Sequence, residues 1–212
     1  MHLPDGLLPA IPCVAGYAVT AAATAASLAV IRRGPDPSRS IPKASIFTAA
    51  FFVASWIHIP VPPISVHLTL IGLLGAVLGP FAFLAILIGL FFQAVVFQHG
   101  GLTTLGLNAA LMGIPAVLVG WAFRTAAPLW RRGPAWAAVA GCCAGVMGIA
   151  LAAVGVSLVL VWAVPAQLDP TLRAAGVTAL TLGHAPLAAI EGVFTALVVA
   201  FLIRVQPGLL ER

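Results

Sequence analysis

The chain has 212 residues, 62% apolar and 7% charged, with a net charge of +5. Its mean hydropathy of +1.14 means more apolar surface than a soluble domain of this length can bury, which excludes a soluble enzyme or carrier. The 10 basic residues are scattered among apolar runs, which excludes a nucleic-acid surface and leaves them as markers of membrane orientation.

The first residues are MHLPDGLLPA, with no Lys, Arg or Ser ahead of the first apolar run. Pro4 fixes a backbone angle and Asp5-Gly6 carries turn chemistry, so residues 1–8 read as a folded cap in which Met1 and Leu3 are apolar enough to be buried. A signal peptide's basic region and cleavage site are missing, and a second-place histidine disfavours trimming, so Met1 is expected to be kept.

A spanning helix needs about 20 apolar residues, and about seven candidates follow. The first covers about 9–31 and ends at Arg32-Arg33-Gly34-Pro35. The second covers about 44–58 and stops where Pro60, Pro62 and Pro63 forbid a regular helix. The third covers about 65–79, ending at Gly79-Pro80, and the fourth about 81–97. The last three cover about 105–123, 135–163 and 174–203, the final two long enough to tilt or break. The expected architecture is an all-α polytopic membrane protein, a single transmembrane domain over residues 1–212.

Threading this order with the N-terminus outside puts Arg32, Arg33, Arg39 and Lys43 in one cytoplasmic loop and Arg124, Arg131 and Arg132 in another. Arg204 and Arg212 then lie at a cytoplasmic C-terminus, and only Arg173 falls outside, as the positive-inside rule asks. The same threading sets His2, His58, His67, His99 and His184 on the outer side.

A histidine in second place has a chemistry of its own. The free α-amine, the His2 backbone nitrogen and the imidazole Nδ1 can bind one metal in fused chelate rings, nearly coplanar, with one corner open. A fourth nitrogen completes a square-planar or tetragonal site, which suits Ni(II) or Cu(II), admits Co(II) and disfavours Zn(II). His58 reads as an interfacial side chain ahead of a ligand, and His99 as a solvated loop histidine ahead of one that attracts incoming cations. Cys13, Cys142 and Cys143 lack metal-ligand spacing and read as packing residues.

His184 and Glu191 lie two helical turns apart on one face, and ionisable groups inside a span are functional or paired. Their expected role is helix packing or transport rather than metal ligation. Ala18, Ala22 and Ala26 recur every four residues, a smooth face for internal packing or for docking a partner helix. The chain has no phosphate-binding GxxxxGK[ST] loop, catalytic triad or carboxylate pair, so it is expected not to be an enzyme. Two rival classes remain: a haem protein with bis-histidine ligation, which His58 and His67 meet only loosely, and an intramembrane hydrolase built on His184 and Glu191.

The stretches MHLPDG, Ser65-Val66-His67-Leu68, GPFAFLAILIGLFFQAVVFQHGGLTTLGLN and HAPLAAIEGVFTALVVAFLIRVQPGLL resemble the CbiM/NikM family. Its members are the substrate-binding membrane components of energy-coupling factor transporters for cobalt and nickel. The resemblance runs in order from Met1 to about Leu210, and the opening MH-x-PDG is its most specific part. It implies seven helices with the N-terminal segment inserted into the protein's centre. It also implies that Ni(II) or Co(II) is the transported substrate, held by the Met1 amine, the His2 backbone nitrogen and imidazole, and His67. Asp5 and Asn108 match polar positions expected to orient those ligands, and Ser65, at the head of the His67 stretch, is a candidate for the same role. The implied partners are cytoplasmic ATPase subunits, a transmembrane coupling subunit and a small CbiN/NikN-type membrane component, here a separate polypeptide. The implied location is the prokaryotic inner membrane, with uptake linked to cobalamin biosynthesis.

Overall fold

The computed structural model describes residues 2–34, 36–61, 64–163 and 170–211. Helix α1 (Ala10–Arg32) is followed by a short 3₁₀ turn (Pro37–Ser40) and α2 (Ile41–Ala54). An antiparallel ribbon of β1 (His58–Val61) and β2 (Ile64–His67) leads into α3 (Ile71–Leu78), α4 (Phe81–Phe97) and α5 (Leu105–Thr125). The chain ends with the short α6 (Ala127–Trp130), then α7 (Pro134–Ala163), α8 (Pro170–Val205) and α9 (Gly208–Glu211).

Among the described residues, four helical segments are long and apolar enough to cross a bilayer: Ala10–Arg32, Leu105–Thr125, Pro134–Ala163 and Leu182–Val205. Their outward faces carry Ile11, Trp121, Trp162 and Leu197, all well exposed. Apolar side chains on the outside of long apolar helices are what lipid requires, and the chain is a polytopic membrane protein.

Helix α3 is the exception that organises the rest. Its 8 residues are all buried, and at 1.5 Å per residue it is only about 12 Å long. Close packing on both sides is possible because glycine faces the neighbours. A Cβ on Gly72 would stand 2.2 Å from the Ala144 carbonyl of α7, and one on Gly75 2.2 Å from the Ala116 carbonyl of α5. A short helix inside the protein still has orphan backbone groups at both ends. At the start, the buried Glu191 carboxylate accepts hydrogen bonds from the Thr69 and Leu70 amides and the Thr69 hydroxyl. At the other end, the Lys43 Nζ donates to the Val77 carbonyl at 3.1 Å and to the Leu209 carbonyl at 3.1 Å. An acceptor carboxyl group thus meets the first amides of the helix, and an ammonium at the C-terminus complements the helix dipole.

These contacts correct two sequence expectations. The second helix stops at Ala54 rather than near residue 58, and the third starts at Ile71 rather than near 65. The apolar run Ile64–His67 looks continuous with the helix after it, yet it pairs with His58–Val61, with His58 opposite His67. The helix begins where Glu191, 121 residues further on, takes up the Leu70 amide. A contact so distant in sequence leaves no local signal.

Candidate metal centre

Three imidazoles meet at one end of the molecule, from three separate parts of the chain. His2 comes from the cap before α1, His67 from the end of β2, and His99 from the loop between α4 and α5. His2 Nδ1 lies 3.1 Å from His67 Nε2, and His99 Nε2 lies 3.1 Å from the same atom. One nitrogen from each ring falls within 4.8 Å of the others, a spacing that fits one metal ion. Sequence reasoning sets His99 in solvent; the structure brings it into the cluster instead. Its only signal was the following Gly100-Gly101, a pair that lets other atoms come close.

The rings are oriented for ligation. His67 Nδ1 lies 3.1 Å from the Leu68 carbonyl, so it carries the proton and donates, which leaves the Nε2 lone pair facing His2 and His99. Burial first, and then the charges of the amino terminus, His67 and His99, hold the His2 imidazole well below its ordinary pKa. It is therefore neutral at physiological pH, the form that binds metal. Its Nε2 is buried with no hydrogen-bond partner among the described residues.

The cap is fastened at two points. Leu3 is buried, and its backbone is matched as if by a neighbouring strand. Its N–H donates to Asn108 Oδ1 at 2.9 Å, while Asn108 Nδ2 and Thr104 Oγ1 donate to its carbonyl at 3.0 and 2.6 Å. Asp5 then caps the approach to α5, accepting from the Leu102 amide at 3.1 Å, the Thr103 amide at 2.8 Å and the Thr103 hydroxyl. The Thr103 hydroxyl, and then the loop amides, hold the Asp5 carboxyl below its usual range.

The loop is moulded to the cap. Gly100 has φ +86°, and a Cβ there would touch His2 Cδ2 and Asn108 Nδ2 at 3.4 Å. At Gly101 a Cβ would stand 2.0 Å from Asp5 Oδ1 and 2.6 Å from the Asp5 nitrogen, so no other residue fits beside a docked cap. Tyr17 of α1 ties the same loop down by donating its hydroxyl to the Leu102 carbonyl.

The remaining sequence candidates fall in different places. Met1 lies outside the described residues, as does the side chain of Ser65, whose backbone pairs with Pro60 in the ribbon. Glu191 holds the turn two residues beyond His67. His184 Nδ1 donates to the Leu180 carbonyl of its own helix at 2.6 Å, and its Nε2 has no partner among the described residues. Ala18, Ala22 and Ala26 are exposed, whereas Gly16 and Thr20 form the buried face of α1 against α5. The alanine row therefore does not pack inside the chain.

A family model described as a cobalt uptake substrate-specific transmembrane region matches residues 2–209. The cobalt transport protein CbiM of Sorangium cellulosum is 34% identical over 222 residues, covering 100% of this chain and 95% of that one. A provisionally named fused nickel transport protein, NikMN of Archaeoglobus fulgidus, is 32% identical over 216 residues, covering 100% of this chain and 68% of its own. The crystal structure of a transition metal transporter shares the fold, with a TM-score of 0.76 and 24% identity over 97% of this chain and 93% of that one.

Proposed function

Because the chain belongs to the family of cobalt uptake substrate-specific transmembrane regions, we propose that it captures Co(II) or Ni(II) outside the cell for uptake. The reading is carried by one observation above all: nitrogens of His2, His67 and His99 lie within 4.8 Å of one another where the cap meets the loops. The Met1 α-amine, the His2 backbone nitrogen, His2 Nδ1 and His67 Nε2 bind the ion as four nitrogens near a plane. Asp5 and Asn108 hold the cap in register, and Ser65 belongs to the strand that presents His67.

Seven segments cross or enter the membrane in this reading, with the N-terminus outside and the C-terminus in the cytoplasm of a prokaryotic cell. The polarity of α3 supports it. The imidazole cluster adjoins its start, while Lys43 and Arg124 stand at its other end, where a Cβ on Gly79 would meet the Arg124 guanidinium. Basic residues gathered at the end opposite the metal cluster are what the positive-inside rule asks of a cytoplasmic face.

The chain is no enzyme in this reading and takes its energy from others: cytoplasmic ATPase subunits, a transmembrane coupling subunit and a small CbiN/NikN-type component. The relative whose name describes a fused NikMN, of which this chain covers 68%, supports a small partner of that kind. The exposed row Ala18, Ala22 and Ala26 is the proposed face for the coupling subunit. An Ala22→Trp variant then loses co-purification with that subunit and keeps metal binding; full assembly would remove the face from consideration.

The decisive experiment compares Ni(II) and Co(II) binding by purified protein with a native Met1 and by protein carrying extra residues ahead of it. The native form binds one ion and the extended form does not. Equal binding by both would reject the α-amine as a ligand.

A further inference from the structure

We propose that Gln93 is a positioning residue of the centre: its Oε1 accepts the Nε2–H of His2, which keeps the ring proton off Nδ1 and leaves that lone pair open to the ion. The inference rests on the reading above only in taking His2 Nδ1 and His67 Nε2 as ligands, and it uses no other donor.

Among the described residues, His2 Nε2 and Gln93 Oε1 are both buried without a hydrogen-bond partner. A buried polar atom left unpaired is rare in a native fold, and here an orphaned ring nitrogen and an orphaned amide oxygen fall at the same place. The packing around α4 explains how. Phe51 of α2 sits on Gly89, one turn before Gln93, where a Cβ would stand 2.4 Å from the Phe51 ring. That close approach sets the Phe51 carbonyl 3.5 Å from Gln93 Nε2, which donates to it, so the amide nitrogen points to α2 and Oε1 is left over. Past the helix, the His99 amide donates to the Gln93 carbonyl at 3.1 Å, and the loop turns back over the His2 ring. A Cβ on Gly100 would touch His2 Cδ2, the atom bonded to Nε2, at 3.4 Å. The Nε2 edge of the ring thus lies against the end of α4.

Burial is the largest influence on the His2 pKa and lowers it, whereas the Gln93 side chain acts on the ring in the opposite sense, as a nearby acceptor does. The torsions that bring the pair together, χ2 of histidine and χ3 of glutamine, are both broad.

The place of one proton decides whether the centre is open. A neutral imidazole carries its proton on one nitrogen only. With the proton on Nδ1, His2 donates to His67 Nε2, 3.1 Å away, and the two ligand atoms occupy each other. His2 Nε2 and the Gln93 oxygen are then two buried acceptors with no donor between them. With the proton on Nε2, Gln93 accepts it, and His2 Nδ1 and His67 Nε2 turn their lone pairs toward one another. Facing lone pairs repel until a cation lies between them. Gln93 therefore favours a pair of imidazoles that a metal ion completes over a pair that bonds to itself.

The test is a long-range ¹H–¹⁵N correlation spectrum of the purified protein labelled with ¹⁵N-histidine, which reports the nitrogen that carries each ring proton. The His2 signals are those that vanish in His2→Gln. The wild type and Gln93→Glu, whose side chain still offers an acceptor, show His2 protonated on Nε2, and Gln93→Leu shows it protonated on Nδ1. Affinity for Ni(II) and Co(II) falls roughly 10- to 100-fold in Gln93→Leu, the scale of a lost outer partner of a metal-bound histidine, and largely returns in Gln93→Glu. A wild type protonated on Nδ1 overturns the proposal without recourse to any variant. So does a Gln93→Leu protein that keeps the proton on Nε2, or an equal loss of affinity in both variants, which would make Gln93 a packing residue alone. If the wild type carries the proton on Nε2 and yet binds neither ion, the pairing stands and the metal-capture reading fails instead.

Discussion

Removing the Asn108 side chain separates the cap from its support without touching a proposed ligand. In Asn108→Ala the Leu3 N–H loses its acceptor at 2.9 Å, while the Leu3 carbonyl keeps the Thr104 hydroxyl at 2.6 Å. One buried donor is stranded, at a cost of about 1–3 kcal/mol. Since only the docked cap presents His2 to His67, the apparent Kd rises as the docked fraction falls. At 1.4 kcal/mol per decade the penalty corresponds to a loss of about 5- to 150-fold in metal affinity. Calorimetric titration with Ni(II) and Co(II) measures it, and a thermal melt of the metal-free protein establishes that the helices remain assembled. Thr104→Val leaves Asn108 holding both Leu3 groups and should cost less. An Asn108→Ala protein that binds within twofold of the wild type, with an unchanged melt, would refute the idea that this clamp sets ligand geometry.

Gly101→Ala should abolish high-affinity metal binding while leaving the helical fold intact, because its Cβ would stand 2.0 Å from Asp5 Oδ1 and 2.6 Å from the Asp5 nitrogen; titration and circular dichroism check the two halves. The Asp5 carboxyl, held below its ordinary value by Thr103 and the loop amides, gives cap docking a pH dependence of known sign. Its contribution is present in full above the ordinary carboxylate pKa of about 3.9 and is lost as pH falls through the depressed value. Amide exchange at Leu3 should therefore speed up in that acid window for the wild type, and Asp5→Asn should exchange fast with no such transition. An identical pH profile for both would exclude Asp5 as the fastening.

What was legible in the sequence follows from the range over which each contact acts. Gly79-Pro80 marks a chain break by composition, and α4 begins at Phe81. The long spans are likewise marked by their own hydropathy. The ribbon was hidden because Pro60, Pro62 and Pro63 argue against helix without arguing for strand, and because hydropathy does not encode the pairing of His58–Val61 with Ile64–His67. At the site, His2 stood out through the chelate chemistry of a second-place histidine, and His67 through family resemblance. His99 was missed because a histidine before two glycines looks solvated. Those glycines serve instead to admit Asp5 and His2.

Glu191 shows how the site is tied to the rest of the molecule. A carboxyl group buried among apolar helices is costly unless hydrogen bonds meet it, and one of its oxygens accepts three, from Thr69 and Leu70. Those donors lie two and three residues beyond His67, on the same backbone that presents its ring to His2 and His99. The Gly145 position of α7 packs on the Glu191 carbonyl so closely that a Cβ would stand 2.5 Å from it. The paired helices α7 and α8 therefore hold the metal-bearing turn by its backbone. A displacement of α8 that carried Glu191 away would strand two buried N–H groups unless the turn followed, at about 1–3 kcal/mol each. The turn and α8 are expected to move together, and a shift in α8 would reach His67 through three hydrogen bonds without altering a single ligand.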